Sequence, residues 1–263
     1  MLKWRRGFTR QVHISTIALT IGAATVLGLF FNLTGYAQVA DGSVQPHVHD
    51  EKCGAVFMEQ LQEKELGVFG SKEYFETWLS RRKQDLKEDG HAQRQLMDVR
   101  RIPVVVHVIH TGTPVGVGAN IPEGQIFSQI DILNQDFRRL NPDAVNTPEE
   151  FLPVAGDAQI EFVLARQDPS GMPTSGINRV QGSRESYPLG FNAQISELAY
   201  WPAEDYLNLW VLPLQSPNIG YASFPVASSL PGLDFPPPSR LTDGVTIDYR
   251  YFGEGGNALP ASR

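Results

Sequence analysis
Cysteine is all but missing from this chain. Cys53 stands alone among 263 residues, so no internal disulfide can form and the fold must be held by its core. An excess of positive charge is missing too. The 22 Lys and Arg face 29 Asp and Glu, a formal net charge of −7 that becomes −11 without Lys3, Arg5, Arg6 and Arg10. A nucleic-acid partner needs a basic face to displace phosphate counterions, and this balance argues against one. Past the first segment no basic amphipathic stretch suggests a membrane surface. Apart from the run FPPPS there is no low-complexity segment, and there is no internal repeat. The G-x-S-x-G elbow, the P-loop and the dinucleotide fingerprint are all absent. Histidine is scarce, with 6 residues and none after His110.

What is present begins with a hydrophobic N-terminus. Four basic residues precede the uncharged run ISTIALTIGAATVLGLFF from Ile14 to Phe31, and Gly35 and Ala37 stand at small-residue cleavage positions. This reads as a secretory signal over residues 1–37, cut after Ala37, and it sends the bulk of the chain out of the cytoplasm. The run exceeds the usual apolar core of a signal, so an uncleaved anchor is the competing reading, and a membrane is a partner only in that case.

Residues 38–101 are charge-rich and helical in pattern. Phe75, Trp78, Leu79, Arg82 and Leu86 fall on one stripe with Ser71 placed to cap, which reads as a small helical prosegment. At MDVRRIPVVVHVIH the period changes abruptly. Arg100 and Arg101 sit either in an exposed linker open to nicking or as two surface charges before a strand.

From Ile102 onward strands and helix alternate. IPVVVHVIH is a near-continuous apolar strand of the kind buried on both faces of a mostly parallel sheet. Pro122 opens a helix to Arg139 whose Ile126, Ile130, Leu133 and Phe137 form a core stripe. AQIEFVLARQ is a second strand, a long irregular stretch follows to Glu204, and YLNLWVLPL, IGYASFP and DGVTIDYRYF are three more strands. The fold class is α/β, with residues 102–263 as one domain.

Few groups could hold a metal. His107 and His110 are three apart on a strand, an odd spacing that sends them to opposite faces, so they read as structural. His47, His49 and Cys53 in PHVHDEKCG have zinc-binding chemistry but make an incomplete set, and the bland alternative is a polar lead-in to the prosegment.

Five blocks carry a resemblance: IPVVVHVIHTG, NIPEGQIFSQIDILNQDFRRLNPD, AQIEFVLARQDPSGMPTSGINRVQ, DYLNLWVLPLQSPNIGYASFPV and DGVTIDYRYFGEGGNA. In order, from Ile102 to about Ala258, they resemble the pappalysin family of secreted metzincin metallopeptidases, of the ulilysin and cytophagalysin type. HDEKCGAVF resembles that family's latency segment, whose cysteine occupies the catalytic zinc as a thiolate.

The resemblance implies a metzincin-like upper subdomain: a twisted, mostly parallel five-stranded sheet with an antiparallel edge strand and a backing helix. It implies zinc as the cofactor of the complete family protein and peptides or proteins as substrates. It makes Gly220, Tyr221 and Ala222 the substrate-binding edge strand and Cys53 the latency ligand, against an ordinary edge strand and a free thiol. In that family DGVTIDYRYFG leads into a helix bearing H-E-x-x-H-x-x-G-x-x-H. Such a site needs three histidines on zinc and a glutamate base, and His91 here is followed by AQRQ. The expectation is therefore no catalytic residue and no stoichiometric zinc in these 263 residues. Two functions compete: a zinc endopeptidase whose zinc-binding half is not in this chain, and a secreted non-catalytic peptide-binding module. One helix for a sheet face that takes two in the family also implies a bare apolar area. At ~300 Å² this would forgo on the order of 7 kcal/mol and leave the fold marginal.

Overall fold
The computed structural model describes residues 52–67, 72–88, 98–222 and 241–260. The signal reading, Ser71, His47, His49 and His91 lie outside them. Two helices come first, α1 (Ala55–Leu66) and α2 (Lys72–Glu88). The central strand β1 (Arg100–His110) follows, then α3 (Glu123–Phe137), β2 (Ile160–Leu164), β3 (Ile177–Gln181), α4 (Asn192–Leu198), β4 (Leu207–Leu212), β5 (Gly220–Ala222) and β6 (Val245–Asp248). Among the described residues no helix is long and apolar enough to cross a membrane.

The strands form one sheet in the order β2-β1-β4-β6-β5, with β3 also on β1, and every pairing is parallel except β5 against β6. The expected α/β class with an antiparallel edge is observed, but with six strands rather than five. The extra strand is INRVQ, inside the stretch read as irregular. Eleven residues make β1 long enough for two short strands on one flank, β2 along Arg100–Val104 and β3 along Val106–His110. Gly176 makes the join, at φ +73 and with its Cα so close to Ala165 that a Cβ would stand 2.7 Å from the Ala165 nitrogen. A side chain there would be strained by both backbone and neighbour. The same stretch also hides α4.

Alternation along β1 and β4 divides the core in two. Val104, Val106, Val108, Leu209 and Val211 point to one face, where Ile126 and Ile130 of α3 and the fully buried Phe252 cover them. Pro122, with extended backbone, starts α3 as its N-cap. Of the predicted stripe, Phe137 is 40% exposed and packs edge-on against Phe162 at 4.9 Å. Over β6 the cover thins, since Val245 and Ile247 are only half-buried. The other face carries Ile109, Trp210, Leu212 and Tyr221, packed with Met58 of α1 and Ile195 of α4.

Two boundaries differ from the sequence reading. Arg100 and Arg101 are not in a linker: they are the first residues of β1, paired with Ile160 and Glu161, and Arg101 Nε meets Glu161 at 3.3 Å. Sheet hydrogen bonds hold this backbone, so the surface-charge reading fits it. Tyr249 does not continue β6. The buried Asp248 carboxylate accepts from the Arg250 amide and turns Tyr249–Tyr251 into a 3-10 helix.

Candidate functional site: the β5 edge and its cover
The sheet has one antiparallel edge, β5, and its outer side is taken by the chain's own N-terminal segment. The Ile219 amide donates to the Lys52 carbonyl at 2.7 Å, and the Gly54 amide donates to the Gly220 carbonyl at 2.9 Å. Cys53 bridges Gly220 in the parallel sense. Residues 52–54 thus lie along β5 as a short added strand, the mode by which an exposed sheet edge takes an extended peptide.

The three residues expected at this edge are together on β5 but differ in exposure. Gly220 is half-buried, Tyr221 is 4% exposed with its ring in the second core, and Ala222 is exposed. Burial pushes the Tyr221 phenol up to about 12. A side-chain hydrogen bond with Thr246, opposite it on β6, is a smaller opposing effect.

Gly54 is where the covering segment comes nearest: a Cβ there would stand 2.7 Å from Leu189 Cδ2 and 3.1 Å from Tyr221 Cβ. Four residues on, Met58 is 4% exposed, and its sulfur accepts from Asn192 Nδ2 at 3.7 Å. The Cys53 thiol is exposed.

His107 is fully buried, as its reading as structural anticipates. Its Nε2 lies 2.9 Å from Asn208 Oδ1 and its Nδ1 lies 3.0 Å from Asn178 Nδ2. The Asn208 amide is oriented by the Trp201 backbone, taking the Trp201 N–H on Oδ1 and donating Nδ2–H to its carbonyl. Nε2 therefore carries the proton and Nδ1 accepts. Burial lowers this imidazole to about 4, against a smaller opposing effect of the Asn208 bond. Its ring stacks on Trp210 at 5.9 Å. His110 accepts the Gly112 amide on Nδ1, and burial and Arg179 hold it below the usual imidazole range.

Among the described residues no three His, Cys, Asp or Glu side chains converge on a point that could hold a metal.

Sequence reading missed the groups that fix the segment after β6. Gln125 of α3 is 1% exposed, donates to the Tyr249 and Phe252 carbonyls and accepts the Asn257 amide. The Gly253 amide donates to Gln129 and the Glu254 amide to Ser128. A depression of about 520 Å³ between α3 and β2, lined by Phe127, Phe162 and Val163, lies at the opposite edge of the sheet from β5.

No protein-family model matches the chain, and no curated protein does. Solved structures do. Mature mirolysin of Tannerella forsythia in complex with a cleaved peptide is 41% identical, with a TM-score of 0.54 over 63% of this chain and 58% of that one. Mirolysin in complex with compound 9 gives the same figures. A promirolysin mutant from Tannerella forsythia is 35% identical with a TM-score of 0.60, over 80% of this chain and 64% of that one. The chain is a relative of the pappalysin-type metzincin metallopeptidases. The pappalysin-type resemblance read from the five blocks is thus carried by structure as well. The chain spans about three-fifths of the length of these solved proteins.

Proposed function
We propose that this chain carries the substrate-binding edge of a secreted pappalysin-type zinc endopeptidase, held latent by its own residues 52–66. The observation that carries the reading is the occupied β5 edge: Lys52, Cys53 and Gly54 lie where an extended peptide would pair. Two features of the relatives support it. Mature mirolysin was solved with a cleaved peptide, and the share of this chain covered rises from 63% against the mature form to 80% against the pro-form.

In the complete family protein zinc would supply an activated water for peptide-bond hydrolysis. In this chain the residues assigned are Gly220, Tyr221 and Ala222 as main-chain partners of the peptide. Cys53 is assigned as the latency ligand, a thiolate being a strong donor to zinc. The second reading is a secreted peptide-binding module without hydrolysis, which keeps the same β5 edge.

The test is to purify the full chain and measure bound zinc, peptidase activity and peptide binding. The expected outcome is peptide binding without stoichiometric zinc and without cleavage. Absence of peptide binding would refute the edge reading, and hydrolysis with bound zinc would refute the assignment of this chain to the edge alone.

A further inference from the structure
We infer that the recess filled by Met58 is a side-chain subsite beside the β5 edge, taking one Met- or Leu-sized apolar residue of an extended peptide when α1 is not seated there. The inference rests on the edge reading above and adds to it the class of residue selected.

Among the described residues of 52–88 only Gly54 and Met58 are buried. Val56 and Phe57 beside them are 47% and 42% exposed. The helix is held on the sheet by Met58, with half-buried Leu61 beside it, together with the short strand pairing that precedes it. The recess is continuous with the edge, because Tyr221 belongs both to β5 and to the apolar cluster that Met58 joins, with Leu189 and Ile195.

α1 is an incomplete occupant. Asn192 reaches Met58 through Nδ2, but its Oδ1 is buried without a partner. From Met58 onward α1 spends its N–H groups on its own turns, the Met58 amide on the Gly54 carbonyl at 3.0 Å. An extended peptide turns an N–H outward at every second residue. A peptide lying along β5 can thus fill the recess with an apolar side chain and give Asn192 Oδ1 a donor. Buried polar atoms without partners are few in folded proteins, and one at the very contact that seats Met58 suits a ligand other than the one seated.

The experiment uses the full chain with Met58→Asp, whose carboxylate will not stay in an apolar recess. The probes are fluorescein-labelled Ala-Ala-Nle-Ala-Ala-Lys and its all-alanine counterpart, read by anisotropy. Norleucine adds three methylenes to alanine, each worth about fourfold when buried, so a preference of at least ~10-fold is expected. That preference should fall to about one when Leu189→Asp is added. Equal binding of both peptides to Met58→Asp would overturn the subsite and leave the edge reading intact. No binding of either would overturn the edge reading and the subsite with it. A norleucine preference undiminished in the unsubstituted chain would place the site elsewhere and overturn the inference. Should Met58→Asp fail to fold, judged by tryptophan fluorescence, Met58→Ala serves with the same outcomes.

Discussion

On the α3 side of the sheet, Val104, Val106, Val108, Leu209 and Val211 meet Ile126, Ile130 and Phe252, and burial of hydrocarbon is what joins the two layers. On the other side the same strands present His107, Asn208 and Thr246 among Trp210, Leu212 and Tyr221, under α4 and the chain's own N-terminal helix. The difference lies in how each face holds its shape when its cover goes. An all-apolar face loses its stabilisation with its helix. A face that carries a stacked His–Trp pair, a histidine fixed between two asparagines and the Trp210 Nε1–Ala199 hydrogen bond keeps much of its order by itself. Only the second kind suits the removable cover proposed for the β5 edge.

The largest effect is expected on the apolar face. Phe252 is fully buried against α3 and comes from the short segment after β6, so Phe252→Ala opens a cavity with little chance of collapse. A loss of about 3–5 kcal/mol is expected, read as a shift of the urea midpoint at unchanged slope. A loss below about 1 kcal/mol would mean that this face is not the one on which the fold depends.

Acid should act on the polar face. His107 is held neutral at about 4 against an ordinary value of 6.5, so between those values the unfolded chain binds a proton that the folded chain does not. Stability from this group is complete above pH 6.5 and falls as pH drops toward 4, by about 3 kcal/mol in all. Thermal unfolding from pH 7 to pH 4 should show this loss, and His107→Gln, which keeps a donor and an acceptor but does not titrate, should flatten it. An unchanged slope in the variant would assign the acid sensitivity to other groups.

The apolar face was legible in the sequence because its signal is local: the valine run of β1 and the 126, 130, 133 stripe of α3 state which side is inward. The polar face was legible only in part. That His107 and His110 diverge follows from strand parity, but the partners of His107 are Asn178, in a strand read as irregular, and Asn208, about 100 residues on. The Gln125 clamp was invisible for the same reason, since a glutamine on a helix looks solvent-facing until the Tyr249–Asn257 segment closes over it. Cys53 and the β5 residues came from resemblance to whole blocks, while Met58 and Asn192 had no signal at all: one methionine in a weakly amphipathic helix and one asparagine in a loop-rich stretch. Pairings between distant segments are what composition and periodicity do not encode.

The smallest expected effect separates cover from sheet most sharply. Gly54 lies so close to Leu189 and Tyr221 that a Cβ would meet their side-chain carbons at 2.7 and 3.1 Å. The Leu189 methyl can swing aside, but the Tyr221 Cβ is fixed to β5 and cannot. Gly54→Ala must therefore lift the segment from the edge by a few tenths of an ångström, lengthening the Gly54–Gly220 hydrogen bond, now 2.9 Å. Weakening one such bond and its packing amounts to about 1 kcal/mol, a several-fold rise in the fraction of molecules with the segment undocked. Hydrogen exchange should report it as faster exchange at the Gly54 and Ile219 amides, with the amides of β1 and β4 unchanged. Equal acceleration throughout the sheet would show that the N-terminal segment is part of the core and not a cover upon it.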